Sequence, residues 1–284
     1  MATYLYNDEC LAPFSRYGGK GATAKWYRSL LPPHRTYVEP YCGSAALLFS
    51  KERSKVEVIN DRESDIVNFF TVLREQSTEL ERLINHTPIS REEFERYEQL
   101  DRTSLPPMER ARIFYVRIQQ SFASLGDSWA YGRKSVKSFH SSLQRFGAIT
   151  ERLQQVQIEH LDGVAVIKKY DSPHTLFFVD PPYEHEGRVR RKGYHHEMDQ
   201  KAHEELLETL LTVRGKVLLC GYPNGLYESR LNIEGWRRIE RNDKCKTGGL
   251  TNGEANRPNK VEVVWMNYSD PMDFTLKSQV KQAR

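Results

Sequence analysis

The apolar run Thr175-Leu176-Phe177-Phe178-Val179, stopped by Asp180-Pro181-Pro182-Tyr183, constrains this chain more than any other stretch. A short β-prone run of this kind reads as a buried strand, and proline, with no N–H to offer a ladder, ends it abruptly. Asp180 and the residues after it are therefore expected at the carboxyl end of a strand, the edge where open α/β sheets bind ligands. The four residues also form a chemical set. The Asp180 carboxylate and the Pro181 carbonyl are acceptors, Pro182 stiffens the turn, and Tyr183 offers a flat ring. Two acceptors and a ring suit an exocyclic amino group on a flat heterocycle. A strand-ending turn with Asp180 as a helix cap is the plainer alternative.

Strand-like and helix-like segments alternate on both sides of this run. Thr36–Val38, Val56–Asn60, Val156–Asp162, Lys216–Cys220, Trp236–Glu240 and Val261–Met266 read as strands, the last two as an antiparallel edge. Helices are expected at Ala24–Leu31, Ala45–Phe49, Arg62–Glu75, Val164–Lys169 and Gln200–Val213. Between about Thr71 and Gln155 the strand signal fades, and Ser77–Asn85, Arg91–Leu100, Met108–Phe122 and Ser142–Gln154 show helical periodicity. The expectation is an α/β fold with a mixed, mostly parallel sheet, interrupted by a mainly helical insertion. The segments are 1–70, the insertion 71–155, and 156–284.

Composition narrows the partners. With 42 Lys+Arg against 38 Asp+Glu the chain is only mildly basic, so any surface for a polyanion must be local. The four cysteines (Cys10, Cys42, Cys220, Cys245) are scattered with no C-x-x-C, which points to free thiols in a reducing compartment and to no metal site. No apolar run approaches membrane-spanning length and no signal-peptide core is visible, so a cytoplasmic protein with no membrane partner is expected.

Three stretches have the look of a cofactor site. Arg16-Tyr17-Gly18-Gly19-Lys20 sets two glycines, which let a backbone come close to a ligand, just before a helix; a flexible turn is the alternative. Glu39-Pro40-Tyr41-Cys42-Gly43 makes a tight corner after a strand. It lacks the glycine spacing of a dinucleotide site, and Glu39 would repel a pyrophosphate but welcome an amino group. Asp61 ends the next strand, where a ribose hydroxyl pair is commonly held, and it could also cap the helix that follows.

Two basic segments fit nucleic acid. Ala123–Lys134 interleaves Trp129 and Tyr131 with Arg133 and Lys134 beside glycines, a pattern of rings to stack and cations to meet phosphates. The two rings could equally belong to a small core beneath the loop. Arg188, Arg190, Arg191 and Lys192 follow Tyr183 closely and read as a lid or phosphate contact, or as a solvated loop.

Taken in this order, Arg16–Lys20, Tyr37–Gly43, Asp61, Asp162 and Asp180–Tyr183 resemble the Dam-like (D12 class, alpha group) DNA adenine-N6 methyltransferases over most of residues 13–267. The resemblance implies a Rossmann-like methyltransferase sheet with helices on both faces. It also implies that the insertion recognises the target in double-stranded DNA. Tyr17, Lys20, Glu39, Pro40, Cys42 and Gly43 would line S-adenosylmethionine, Asp61 would hold its ribose, and Asp162 would reach its adenine. Asp180, which also borders the cofactor, would join Pro181, Pro182 and Tyr183 around the target adenine, flipped out of the duplex. The reaction implied is methyl transfer to N6, without a metal, in a prokaryotic or phage-type setting that includes restriction-modification. Ala45 stands where the family often has a second glycine, and the insertion does not match the GATC-specific members. Cytosine N4 is an alternative target of the same acceptors, RNA an alternative substrate, and a catalytically silent DNA-binding homologue the alternative from another class.

Overall fold

A computed structural model of the chain describes residues 12–16, 18–130, 139–182, 198–232, 235–244, 250–251, 254–255 and 259–269. It divides into two compact units, residues 1–29 with 42–161 and residues 30–41 with 162–284.

The first unit holds α1 (Ala24–Ser29), β2 (Val56–Asn60), α2 (Ser64–Asn85), α3 (Arg91–Glu98), α4 (Pro107–Gln120), α5 (Phe146–Leu153) and β3 (Val156–Glu159). β2 and β3 run parallel, with Asn60 opposite Glu159. In the described part of residues 71–155 the regular elements are helices and short 3-10 turns, joined by loops, with one isolated bridge, Ser121 to Trp129. Two helical segments expected on either side of Gln76 are observed as α2, which bends where Gln76 leaves helical geometry (φ −142°, ψ 42°). An aromatic cluster knits the unit together. Phe14 meets Phe69 and Phe114 edge-on at 5.3 Å each, and Tyr115 meets Phe146 at 5.5 Å. Edge-to-face ring pairs contribute beyond their buried area. Phe14 thereby anchors the segment leading into Arg16–Lys20.

The second unit holds β1 (Thr36–Glu39), β4 (Thr175–Val179), β5 (Lys216–Gly221), β6 (Arg237–Lys244) and β9 (Asn259–Met266) in the order β1-β4-β5-β9-β6. A small ladder pairs β7 (Leu250–Thr251) with β8 (Glu254–Ala255). β1, β4 and β5 are parallel, whereas β9 runs antiparallel to both β5 and β6. The mixed, mostly parallel arrangement expected from the sequence is the one observed, with an antiparallel edge. Every residue of β4 is buried, which is why its sequence is an unbroken apolar run without alternation. α6 (Gly163–Tyr170), α7 (Gln200–Thr212) and α8 (Gly225–Leu231) complete this unit.

One local expectation fails. Ser44–Ser50 forms no α-helix, only a 3-10 turn at Leu48–Ser50, because Ala45 sits at φ +50°, a left-handed conformation that a right-handed helix cannot contain. α8 has no counterpart among the helices expected from the sequence. In the fold Asn224 is an N-cap, accepting from the Tyr227 N–H at 2.8 Å, and the helix buries Tyr227 and Leu231.

A buried charge cluster closes the loop between that 3-10 turn and β2. Glu57 Oε1 accepts from Lys51 Nζ and Arg152 Nη2 at 2.7 Å each and from the Ser54 N–H at 2.9 Å. Lys51 completes its three donors on the Glu52 carbonyl at 2.7 Å and Ser54 Oγ at 2.8 Å. Glu57→Ala leaves two buried cations without their anion, so the expected loss is about 3–5 kcal/mol of stability. Urea unfolding measures it, and a loss below about 1 kcal/mol would show that water reaches the cluster.

Candidate active site

Each unit presents one set of the expected site residues. In the first, the corner after β1 folds back on the end of β2. The Cys42 N–H donates to the Asn60 carbonyl at 2.9 Å, and the Ala45 N–H donates to the Cys42 carbonyl at 2.6 Å. Gly43, at φ +50°, turns its N–H onto Asp61 Oδ2 at 2.9 Å. The other Asp61 oxygen accepts from the Glu63 N–H at 2.9 Å. Asp61 thus braces the glycine corner and holds the N–H of Glu63, the residue that precedes α2; it is not itself the helix cap, since the N-cap position is Glu63 and no side chain caps it. Arg16 pairs with Glu63 beside it. Burial pushes the Asp61 carboxyl above the usual aspartate range, against the opposing pull of the Glu63 N–H, Arg16 and the Gly43 N–H. Cys42 Sγ lies 4.0 Å from Asp61 Oδ2.

The Arg16–Lys20 turn belongs to the same unit. The Gly19 N–H donates to the Arg16 carbonyl at 2.9 Å, and a Cβ on Gly19 would sit 2.9 Å from that same oxygen, so the tight turn requires glycine. Lys20 is buried, donates to the Gly18 carbonyl at 3.3 Å and lies 6.0 Å from the Tyr27 ring centre. Tyr17 lies outside the described residues.

In the second unit, Val38 stands opposite Phe177, so Glu39-Pro40 and Asp180-Pro181 leave parallel strands at one carboxyl edge. Glu39 is buried, and the Tyr37 hydroxyl donates to its Oε1 at 2.8 Å. Two residues apart on a strand, these side chains share a face. Asp180 is half-buried, Pro181 buried and Pro182 half-buried. Tyr183, Arg188, Arg190, Arg191 and Lys192 lie outside the described residues.

The end of the Tyr41 ring lies close against the start of α6: a Cβ on Gly163 would come within 2.4 Å of it, so any side chain there requires Tyr41 to move. Asp162 is exposed and caps α6, its Oδ1 accepting from the Val164 N–H at 2.9 Å.

For the recognition segment, the first unit describes Trp129 but not Tyr131, Arg133 or Lys134, which lie outside the described residues. Trp129 meets the buried Phe94 edge-on at 5.7 Å while staying partly exposed. The reading of it as part of a small core under the loop thus has a contact behind it. The loop is tightly bound: the Phe122 N–H donates to the Ser128 carbonyl at 2.7 Å, the Gly126 N–H to Ser121 Oγ at 2.7 Å, and Arg117 grips the Gly126 carbonyl. Phe122 stands out of it, 53% exposed. Sequence reasoning missed Phe122, absorbed into a helical pattern, and Asn60, hidden by the more obvious Asp61. The Asn-Asp pair at a strand end was the available signal.

Among the described residues no helix is long and apolar enough to cross a membrane, and no group of three or more His, Cys, Asp or Glu side chains could hold a metal ion. Compared with curated proteins, the chain matches none. Among solved structures it is similar at 8% identity to precorrin 8W decarboxylase of Methanobacterium thermoautotrophicum, covering 90% of this chain and 97% of that one, with a TM-score of 0.41. A second likeness, also at 8% identity, is to precorrin-6y C5,15-methyltransferase of Geobacter metallireducens GS-15, covering 94% of this chain and 100% of that one, with a TM-score of 0.40. The family model of the D12 class N6 adenine-specific DNA methyltransferases matches residues 17–220, from the glycine turn through the Asp180 motif to the end of β5. The chain therefore belongs to that family: it is an adenine-specific DNA methyltransferase.

Proposed function

We propose that the methyl donor is S-adenosylmethionine and that the acceptor is N6 of an adenine flipped out of double-stranded DNA. The observation that carries this reading is the shared carboxyl edge of the neighbouring parallel strands β1 and β4, where Glu39 ends the one and Asp180, two register positions further on, follows the other. The residues suit the donor chemically. Asp61 is a braced carboxylate of the kind that accepts from a ribose diol, and Glu39 suits an ammonium group. Lys20, Pro40, Cys42, Gly43, Tyr41 and Asp162 complete the set. When bound, the donor supplies a methyl group on a sulfonium, an electrophile needing no metal.

The chain's own residues then act on the adenine. The N6 lone pair is delocalised into the ring and is a poor nucleophile. Asp180 and the Pro181 carbonyl accept the two N6 hydrogens, which draws the lone pair out of the ring and stabilises the positive charge that develops on nitrogen. The excess N6 proton leaves along the Asp180 hydrogen bond after transfer. Pro181 and Pro182 keep these acceptors fixed, and Tyr183 stacks on the base. Residues 71–155 serve as the recognition insertion between the catalytic segments 1–70 and 156–284. Trp129, Phe122, Tyr131, Arg133 and Lys134 face the DNA there, and Arg188, Arg190, Arg191 and Lys192 meet phosphates beside the flipped base.

Three outcomes test this reading. Asp180→Ala should raise the barrier by about 2–4 kcal/mol, the scale for deleting one such electrostatic group. Single-turnover methylation of DNA with labelled S-adenosylmethionine measures it, and near-normal rates in a folded variant would refute the assignment.

The ribose needs the Asp61 carboxylate, and burial raises that group's pKa. Affinity for S-adenosylmethionine should accordingly be full above the raised pKa and fall as pH drops through it, before ordinary aspartates protonate. Calorimetry across pH should lose this step in Asp61→Asn; an identical profile in the variant leaves Asp61 as a structural brace alone.

Neutralising Arg190 and Arg191 together should weaken binding to all DNA sequences alike and flatten the log-log salt dependence by about one unit per lost phosphate contact. An unchanged slope marks the segment as a solvated loop.

A further inference from the structure

Glu63 stands at the N-cap position of α2, where a side chain ordinarily accepts from the first N–H groups of its own helix. It makes no such bond. Its carboxylate pairs with Arg16, 47 positions earlier in the chain, and only 13% of the Arg16 side chain and 12% of the Glu63 side chain are exposed. An ion pair so withdrawn from water is little screened, and either partner left alone would be a buried charge. The helix thus forgoes a side-chain cap to hold the turn that precedes α1.

This pair is the middle link in a chain of bonds within the first unit. The Gly19 N–H donates to the Arg16 carbonyl at 2.9 Å, so the residue that closes the Gly18-Gly19 turn by its main chain is also tied down by its guanidinium. Phe14, packed edge-on against Phe69 and Phe114, fixes the segment just ahead of it. At the far end the Glu63 N–H donates to Asp61 Oδ1 and the Gly43 N–H to Asp61 Oδ2, both at 2.9 Å. Three side chains, Arg16, Glu63 and Asp61, therefore join the glycine turn to the glycine corner.

We propose that Arg16 is a positioning residue for the methyl donor: through Glu63 it ties the Gly18–Lys20 turn to the Asp61 corner, so that both segments are fixed before the donor binds. A site ordered in advance loses less freedom on binding. The proposal rests on the reading of the donor as S-adenosylmethionine and of Asp61 as its ribose acceptor. The same two charges also act on Asp61. Burial raises its carboxyl, the Glu63 and Gly43 N–H groups and the Arg16 cation oppose that rise, and the Glu63 charge adds to it. The Cys42 thiol lies 4.0 Å from Asp61 Oδ2.

Calorimetry on the full chain with S-adenosylhomocysteine across pH tests the tie. Arg16→Met should lower affinity by about tenfold or more, the scale of one charge-assisted hydrogen bond. It should also move the Asp61 step to higher pH, because the cation that draws the carboxyl down is gone. Glu63→Gln should lower affinity too, yet move the step to lower pH, because the opposing anion is gone. The double variant should bind no more weakly than the weaker single one, the mark of one shared interaction. Should Arg16→Met not fold, Arg16→Lys takes its place in the cycle, with a smaller loss that again does not add to that of Glu63→Gln. Losses that add overturn the proposal. A step that stays put in both Arg16→Met and Glu63→Gln while affinity falls overturns it as well, since a merely structural role gives that result. Either outcome leaves the donor reading standing, provided the unmutated chain binds and shows its step. A pH-independent affinity in the unmutated chain removes Asp61 as the ribose acceptor and the proposal with it, and no binding at all sinks the donor reading itself.

Discussion

A strand buried along its whole length can present a polar group only where it stops. β4 has no exposed residue, so the half-buried Asp180 is the first place along it where a carboxylate can stand without the cost of full burial. The prolines behind it make that stop abrupt, since neither can donate to a ladder. β1, one strand over, ends differently: Glu39 is its last residue and still buried, and it has the Tyr37 hydroxyl to share its charge. The chemistry of the second unit is thus a consequence of where its parallel strands end.

Asp61 plays the corresponding part in the first unit by a different route. Both its oxygens accept main-chain N–H groups at 2.9 Å, one from Gly43 and one from Glu63, so a single side chain joins a turn to a helix start. Hydrogen bonds to the charged form lower a carboxyl pKa and burial raises it; here burial prevails. The group is held rigidly yet remains costly to ionise, so a ligand that donates to it relieves an existing penalty. That is a sound basis for binding a diol, which brings donors and no charge.

The strands and the long helices were legible in the sequence because their apolar periods are unbroken. β4 reads as a strand for the same reason that it is buried on both faces. The residues proposed for the site stood out in the sequence where the proposed chemistry calls for a residue type: the glycines before Lys20, Glu39 ahead of Gly43, Asp61 at a strand end, and Asp180 before two prolines. What escaped was decided by tertiary contacts. Asn60 could have been any polar strand end until its amide met Leu161, and Phe122 is an ordinary helix-period residue until the loop after it leaves it exposed. α8 depends on Asn224 acting as a cap, which shows only in its bond from the Tyr227 N–H.

Ala45 is the most instructive failure. Its sequence neighbours favour helix, yet it is fully buried at φ +50°, two residues after Gly43 at the same φ. A left-handed alanine costs roughly 1–2 kcal/mol, whereas glycine would adopt the conformation without strain. The chain holds it there with a short bond from its N–H to the Cys42 carbonyl. The burial of Ala46, Leu47 and Leu48 behind it makes any rotation back to a helix expensive. Strain of this kind persists only where the surroundings over-determine the backbone, and such places cluster at ligand sites. The strained residue follows directly on the corner whose N–H braces Asp61. The local rule is therefore broken where the fold gives up helix to keep a rigid turn beside its carboxylate.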